Sequence, residues 1–360
     1  MKKQLQIFFD FLRFCIDSAK EIPDSLKETD WKEIYAIAQK QCLVGVLFDG
    51  IKKLPAEHVG MKKELLLQWM AESQMLEKAN VRLNDAAIQV SEWFRKKGFR
   101  TCILKGQGNA LLYPNPYSKT PGDIDIWVEG GDKRVISFVR SISPHEKACY
   151  HHIEFPSYKG VEVEVHYRPS FLLCFWHNRK LQKYYESVKD EQFSHRVMLG
   201  EQGEIAIPTA EFNLIFQLTH IFSYLMNEGI GLRQLVDYYF VLQHADIKDL
   251  TELQRNLKHF GLWKFAGAIM YIMHEVFGMP ASRLIVSLNE KYGNFVLNEV
   301  LEAGNFGSYD KRNRFEKSQL GHNLQRVYRD IRLIKYFPAE ALSEPIFRVW
   351  HFFWRMKNKK

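Results

Sequence analysis

The stretch Asp123-Ile124-Asp125-Ile126-Trp127-Val128 sets two carboxylates two residues apart in a run of strand-forming residues. On a strand, alternate side chains share a face. Asp123 and Asp125 therefore point together, while Ile124, Ile126 and Val128 point into a core. Carboxylates a few ångströms apart repel, and both stay ionised only where water screens them or a divalent cation bridges them. A second acidic stretch follows in Val161-Glu162-Val163-Glu164-Val165-His166-Tyr167, with the glutamates and His166 on one face and the valines on the other. Glutamate is disfavoured in strands. If the two strands are neighbours in matching register, three or four carboxylates converge. That is a ligand set for a hard cation, Mg²⁺ (or Mn²⁺), held together with phosphate oxygens. The plainer alternative for each strand is an amphipathic element with a solvated acidic face.

Upstream, Leu104-Lys105-Gly106-Gln107-Gly108-Asn109 leads a strand into a short helix. Backbone N–H groups beside glycines form anion sites, although such a turn also needs glycine for its geometry alone. His166 shares the glutamate face and reads either as a ligand or neighbour of a metal or as an ordinary strand histidine. His151 and His152 are adjacent, so on a strand they face opposite ways and form no simple pair. His220 lies in an apolar helix and reads as a hydrogen-bonded core histidine. Arg233 and Asp237, four residues apart, read as a helix salt bridge.

The elements that must position these groups fall into three regions. Residues 1–97 read as helical: Leu5, Phe8, Phe9, Leu12 and Ile16 recur at helical spacing, Asp30 caps a second run through Leu47, and a long helix from about Lys62 to Lys97 stops at Gly98. Residues 98–208 hold short alternating segments at 100–104, 123–128, 150–155 and 161–167, a helix near 133–141, a further helix, and a β-ribbon near 197–207. Residues 209–360 are helical again, starting from Thr209, with breaks at Gly261, Gly278-Pro280 and Gly304–Arg314. The pattern is that of an α+β (or α/β) fold in which a small mixed sheet is embedded between N-terminal and C-terminal helical regions.

Composition bounds the partners. In 360 residues the hydrophobic fraction is 46% and the charged fraction 26%, ordinary for a folded globular chain. Five scattered cysteines form no zinc spacing and indicate no disulfide frame. The net charge of +8 suits polyanionic partners, although part of the excess sits in the lysine-rich termini. Apolar runs such as Phe265–Met273 fall short of the ~20 residues of a membrane-spanning helix. The first residues carry Asp10 and Arg13 and no cleavage signal follows, so a cytoplasmic location is expected. The last helix, Ile346–Lys360, mixes aromatic and basic residues and reads either as packed on its own domain or as docked on a membrane or partner.

Together these motifs resemble the nucleotidyltransferase superfamily with the DNA polymerase β-type core: a glycine-bearing turn into a helix, an Asp-x-Asp strand, and a third carboxylate on a later strand. Within it the chain is most similar to an uncharacterised bacterial nucleotidyltransferase group. The matching residues are Leu104-Lys105-Gly106, Tyr113-Pro114, Gly122–Ile126 and Glu164-Val165-His166. The segment 220–242 resembles that group's helical region. The resemblance implies that 98–208 is the catalytic core, that Asp123, Asp125 and Glu164 are catalytic and bind the metal, and that Lys105, Gly106, Gln107 and Gly108 approach the triphosphate. Glu164 rather than Glu162 takes the third place because it directly precedes the Val-His pair. The usual Gly-Ser turn is replaced by Lys105-Gly106-Gln107, and Lys119 is a loose match to a basic residue expected before the aspartates.

The implied activity is metal-dependent transfer of a nucleoside monophosphate from an NTP to an acceptor hydroxyl, with release of pyrophosphate. No RNA-binding module is readable, so a small-molecule or protein acceptor is favoured. The competing expectation is a catalytically inactive nucleotide-binding or interaction module with the same fold. Repulsion between the aspartates further predicts that Asp125→Asn leaves folding intact, or slightly raises the melting temperature in chelator, while removing any cation-induced stabilisation.

Overall fold

In the computed structural model, residues 3–17, 19–55, 60–201, 203–312 and 319–358 are described. The N-terminal region is built by amphipathic helices. Helix α1 (Lys3–Cys15) buries Phe8, Phe11 and Leu12. Asp30 caps α2 (Trp31–Gln41), its carboxylate accepting from the N–H groups of Lys32 (3.0 Å) and Glu33 (3.2 Å). The run expected to continue through Leu47 breaks instead. Cys42 adopts a left-handed φ of 53°, the Leu43 N–H closes back on the Ala38 carbonyl (2.8 Å), and α3 (Val44–Lys53) starts afresh. Helix α4 (Lys63–Lys96) runs for 34 residues to Gly98, whose φ of 81° ends it.

A four-stranded mixed sheet follows, built from β1 (Thr101–Ile103), β2 (Ile124–Val128), β3 (His152–Tyr158) and β4 (Val161–His166) in the order β1-β2-β4-β3. Helix α5 (Gln107–Ala110) lies between β1 and β2, and α6 (Gly131–Ile142) between β2 and β3. β2 and β4 are parallel neighbours, and the outer pairs β1–β2 and β3–β4 are antiparallel. Register sorts the side chains into rows. Ile103, Ile126, Val165 and Ile153 form one row, facing a core shared with α4 and α6 through Phe94, Val135 and Val139. On the opposite face, Asp125 pairs with Glu164 and Glu164 with Glu154, while Trp127 pairs with His166 and His166 with His152.

That polar face looks toward the remaining helices. Helix α7 (Phe175–Ser194) precedes the ribbon β5 (Arg196–Leu199) and β6 (Gly203–Ala206). Thr209 does precede α8 (Ala210–Asn227), but its hydroxyl donates to Gln192 Oε1 (3.1 Å) instead of capping. Helices α9 (Leu232–His244), α10 (Leu250–His259), α11 (Trp263–Glu275) and α12 (Glu290–Ala303) join α1–α3 and α8 in a second, larger core. Finally α13 (Gln319–Leu333) and α14 (Pro338–Lys357) fold back toward the sheet. Glu340 on α14 accepts from the N–H groups of Leu173 (2.7 Å) and Cys174 (3.2 Å), which ties α14 to the start of α7. Phe347 packs inward on Phe171 and Tyr150, whereas Ile346, Val349, Phe352 and Phe353 face outward.

The segment that delivers the aspartates is pinned from three sides. Asn80 on α4 donates to the carbonyls of Tyr117 (2.9 Å) and Lys119 (2.7 Å). Gly45 on α3 gives the Ser118 carbonyl room that a Cβ would fill, since an added Cβ would lie 2.2 Å from that oxygen. Asp237 on α9 accepts from the Tyr113 hydroxyl (2.6 Å) and pairs with buried Lys119 (3.2 Å). In place of the bridge expected between Arg233 and Asp237, buried Asp237 takes the long-range partner Lys119, whose buried ammonium requires a counter-charge. Lys119→Met leaves Asp237 buried without its cation. It is expected to cost about 3–5 kcal/mol in urea denaturation, and a change under ~0.5 kcal/mol would show the pair to be dispensable.

Candidate active site

Asp123, Asp125 and Glu164 each present a carboxylate oxygen, and the three oxygens lie within 4.8 Å of one another. The parallel pairing of β2 with β4 does this by setting Asp125 directly opposite Glu164. Glu162 lies one row beyond and is exposed. Asp125 is buried and doubly contacted: its Oδ1 accepts from Lys105 Nζ (2.8 Å) and His166 Nε2 (3.0 Å). His166 Nε2 also reaches Glu164 Oε2 (3.3 Å). Lys105 in turn donates to His220 Nε2 on α8 (2.7 Å).

Charge is distributed unevenly among these groups. Burial opposes ionisation of Asp125, but Lys105 and His166 outweigh it and hold the carboxyl far below the usual range. Glu164 is also lowered: burial opposes its charge, and His166 more than offsets it. The same partners act in reverse on the cations. Against burial, Asp125 and Glu164 lift His166 to about 9, and Asp125 raises Lys105. Asp123 makes no such contact. Repulsion from Asp125, with burial second, pushes it up to about 6, and Lys105 offsets this only in part. Three carboxylates face two cations, and the charge in excess sits at Asp123.

Asp123 apart, these groups form one wall of a cavity of about 410 Å³. Lys105, Asp125, Glu164 and His166 line it from the sheet, and His220 and Tyr224 from α8. Arg326 on α13 and Phe347, Arg348 and Arg355 on α14 complete it from the far end of the chain. Of the glycine turn, only Lys105 lines the cavity. Gly106, with φ 53°, sits beside the Asp123 carbonyl, whereas Gln107 and Gly108 are buried beneath, Gly108 in close contact with Ile207. Helix α5, at four residues, is too short to focus a dipole on the cavity.

His220 is hydrogen-bonded as expected, but at the cavity wall: it takes a hydrogen bond from Lys105, and burial followed by that cation keeps its imidazole neutral, well below the ordinary histidine range. One sequence expectation is corrected here. His151 and His152 do not face opposite ways. His151 precedes the first β3 residue in a bend, outside the alternation, so its Nε2 comes 3.1 Å from His152 Nδ1 and both rings line the cavity. The sequence carried no periodic signal for this, nor for the arginines of α13 and α14.

With the geometry in place, comparison with known proteins gives a family. The profile described as "Uncharacterised nucleotidyltransferase" matches residues 27–278. The chain belongs to this nucleotidyltransferase family. No curated protein matches it. Among solved structures, an antigenic nucleotidyltransferase-like protein from Paracoccidioides brasiliensis aligns over 60% of this chain and 95% of its own, at 14% identity and a TM-score of 0.33. That likeness is too distant to carry an argument. The family match ends before α13, so Arg326, Arg348 and Arg355 come from outside the matched segment. Among the described residues, no helix is long and apolar enough to cross a membrane.

The uneven charges also move the expected relief of strain. Asp125 is the stabilised carboxylate, so Asp125→Asn strands Lys105 and lowers the melting temperature rather than sparing it. Relief belongs at Asp123. Its pKa is raised on folding, so its unfavourable contribution is absent below pH ~4, grows as pH rises toward 6, and is complete above that. In chelator, Asp123→Asn is expected to stabilise the protein by up to ~2 kcal/mol at pH 8 and by little at pH 4.5. Equal effects at both pH values would contradict the assignment of the excess charge.

Proposed function

We propose that this family member transfers a nucleoside monophosphate from an NTP to an acceptor hydroxyl, with Asp123, Asp125 and Glu164 holding Mg²⁺ (or Mn²⁺). The observation that carries the reading is the convergence of these three carboxylates, Asp123 with its pKa raised, where Asp125 and Glu164 line a cavity that Lys105 and three arginines also line. Such a donor set, all oxygen and net anionic, fits a hard divalent ion. When bound, the ion supplies charge neutralisation of the triphosphate and activation of the attacking hydroxyl. The chain's own groups do the rest. Lys105, Arg326, Arg348 and Arg355 provide positive charge for phosphate oxygens. The turn at Gly106 lets backbone approach the same region from beside Asp123. Asp125 and Glu164 border the position of the attacking hydroxyl. Its oxygen bonds to the α-phosphorus, its proton passes to a carboxylate, and the bond to pyrophosphate breaks.

A small-molecule or protein acceptor is favoured over an RNA end, because α8, α13 and α14 contribute walls to the cavity opposite the sheet. The wider division into an N-terminal helical region (1–97), a catalytic core (98–208) and a C-terminal helical domain (209–360) gives the last region the role of covering the cleft. The competing reading is a binding module without catalysis. Its support is that Lys105 and His166 already occupy one oxygen of Asp125.

Thermal melts with each NTP, with and without Mg²⁺, separate the readings. The expected result is stabilisation that needs both ion and nucleotide, that is lost in Asp123→Asn and Asp125→Asn, and that is accompanied by pyrophosphate release once an acceptor is supplied. Nucleotide stabilisation that is independent of Mg²⁺ and unchanged in both variants would favour the binding module.

A further inference from the structure

Beside the oxygen-rich site lies a nitrogen-rich one. His152 Nδ1 is 3.1 Å from His151 Nε2 and 3.2 Å from Glu164 Oε2, and Glu164 Oε2 is 3.3 Å from His166 Nε2. Nitrogen and oxygen ligands held tetrahedrally at about 2.0–2.2 Å from Zn²⁺ lie roughly 3.3–3.5 Å apart. The observed spacings need only small adjustment to reach that. The ligand atoms of His152, Glu164 and His166 all fall within 4.8 Å of one another, and the ring of His151 stands 4.5 Å from that of His152 and 5.3 Å from that of His166.

We infer that His152, His166 and Glu164, with His151 behind His152, form a second metal site, selective for a borderline transition ion of the Zn²⁺ class rather than Mg²⁺. It is tied to the proposed reading through Glu164, which both sites share, and through His166, whose Nε2 gives up its hydrogen bond to Asp125 when it takes the ion. Three arguments converge on it. Imidazole suits zinc and its neighbours, whereas Mg²⁺ demands oxygen and keeps its waters. The outward nitrogens have orienting partners of the kind that metal-bound histidines keep: His166 Nδ1 faces the Arg168 carbonyl (3.3 Å) and His151 Nδ1 faces Cys149 Sγ (3.4 Å). And His152 Nδ1 meets both a ring nitrogen and a carboxylate oxygen, more lone pairs than one N–H can serve, an arrangement that a shared cation satisfies.

The rings come together for a topological reason. His152 and His166 are register partners on β3 and β4, and the bend before β3 brings His151 to the same side. A cation there would fix the Glu164 carboxylate and add positive charge to the cavity wall.

The test is cobalt substitution of the full chain. Co²⁺ is expected to bind at one equivalent with the strong visible absorption of a four-coordinate site, to resist excess Mg²⁺, and to be displaced by Zn²⁺. His152→Ala should lose the absorption, and His151→Gln should weaken Zn²⁺ binding by ~10–100-fold or more. Asp123→Asn, which touches only the oxygen-rich site, should keep it. X-ray absorption on the zinc-loaded wild type gives a readout independent of any variant: an imidazole-containing shell is expected. An all-oxygen shell, or a cobalt spectrum that survives His152→Ala, overturns the inference. Mg²⁺-dependent nucleotide stabilisation without cobalt absorption would discard the histidine site and leave the transferase reading standing. Cobalt absorption without nucleotide stabilisation would do the reverse.

Discussion

A buried carboxylate in the middle of a sheet is costly unless cations meet it, and Asp125 is such a carboxylate. Lys105 arrives from the turn after β1, His166 from β4, and His220 stands behind Lys105 on α8. Satisfying this one charge therefore fixes a strand, a turn and a helix relative to β2. The contacts form a continuous path from His151 through His152, Glu164, His166, Asp125 and Lys105 to His220, with each step between 2.7 and 3.3 Å. Removal of any member leaves a buried polar neighbour exposed to an unpaired charge or lone pair.

The division of labour between the two sheet faces follows from the two-residue period of a strand. Isoleucines and valines of β2 and β4 fill the core against α4 and α6, which leaves the intervening Asp125, Glu164 and His166 for the cavity. Because β2 and β4 are parallel, their polar rows align without a hairpin between them, and the crossover through α6 and β3 supplies the histidine strand on the far side. The arginines of α13 and α14 then meet the anionic wall from the opposite end of the chain. Asp123 is the carboxylate of the three that neither Lys105 nor a histidine contacts, and its pKa is the one raised.

Much of this was legible in the sequence because it is local and periodic. The Asp-x-Asp and Glu-x-Glu-x-His strands announced their faces by alternation, and Asp30, Gly98 and the long α4 pattern marked helix ends. What escaped depends on contacts distant in sequence. Lys119 finds Asp237 across 118 residues of chain, and nothing near Arg233 signals that. His220 read as core because its helix is largely apolar, yet its ring meets Lys105 at the cavity wall. His151 was misplaced because alternation was extended one residue past the end of a strand. The break at Cys42, a left-handed residue that is not glycine, had no compositional mark.

The claim on which the account depends is that the three carboxylates hold a divalent ion against a nucleotide. Crystals of the protein grown with Mn²⁺ and a non-hydrolysable NTP test it directly through anomalous scattering. The account predicts a manganese peak bounded by Asp123, Asp125 and Glu164, with the triphosphate between it and the cations Lys105, Arg348 and Arg355. A triphosphate bound elsewhere, or a cavity in which Lys105 and His166 keep Asp125 to themselves and no manganese peak forms, would contradict it.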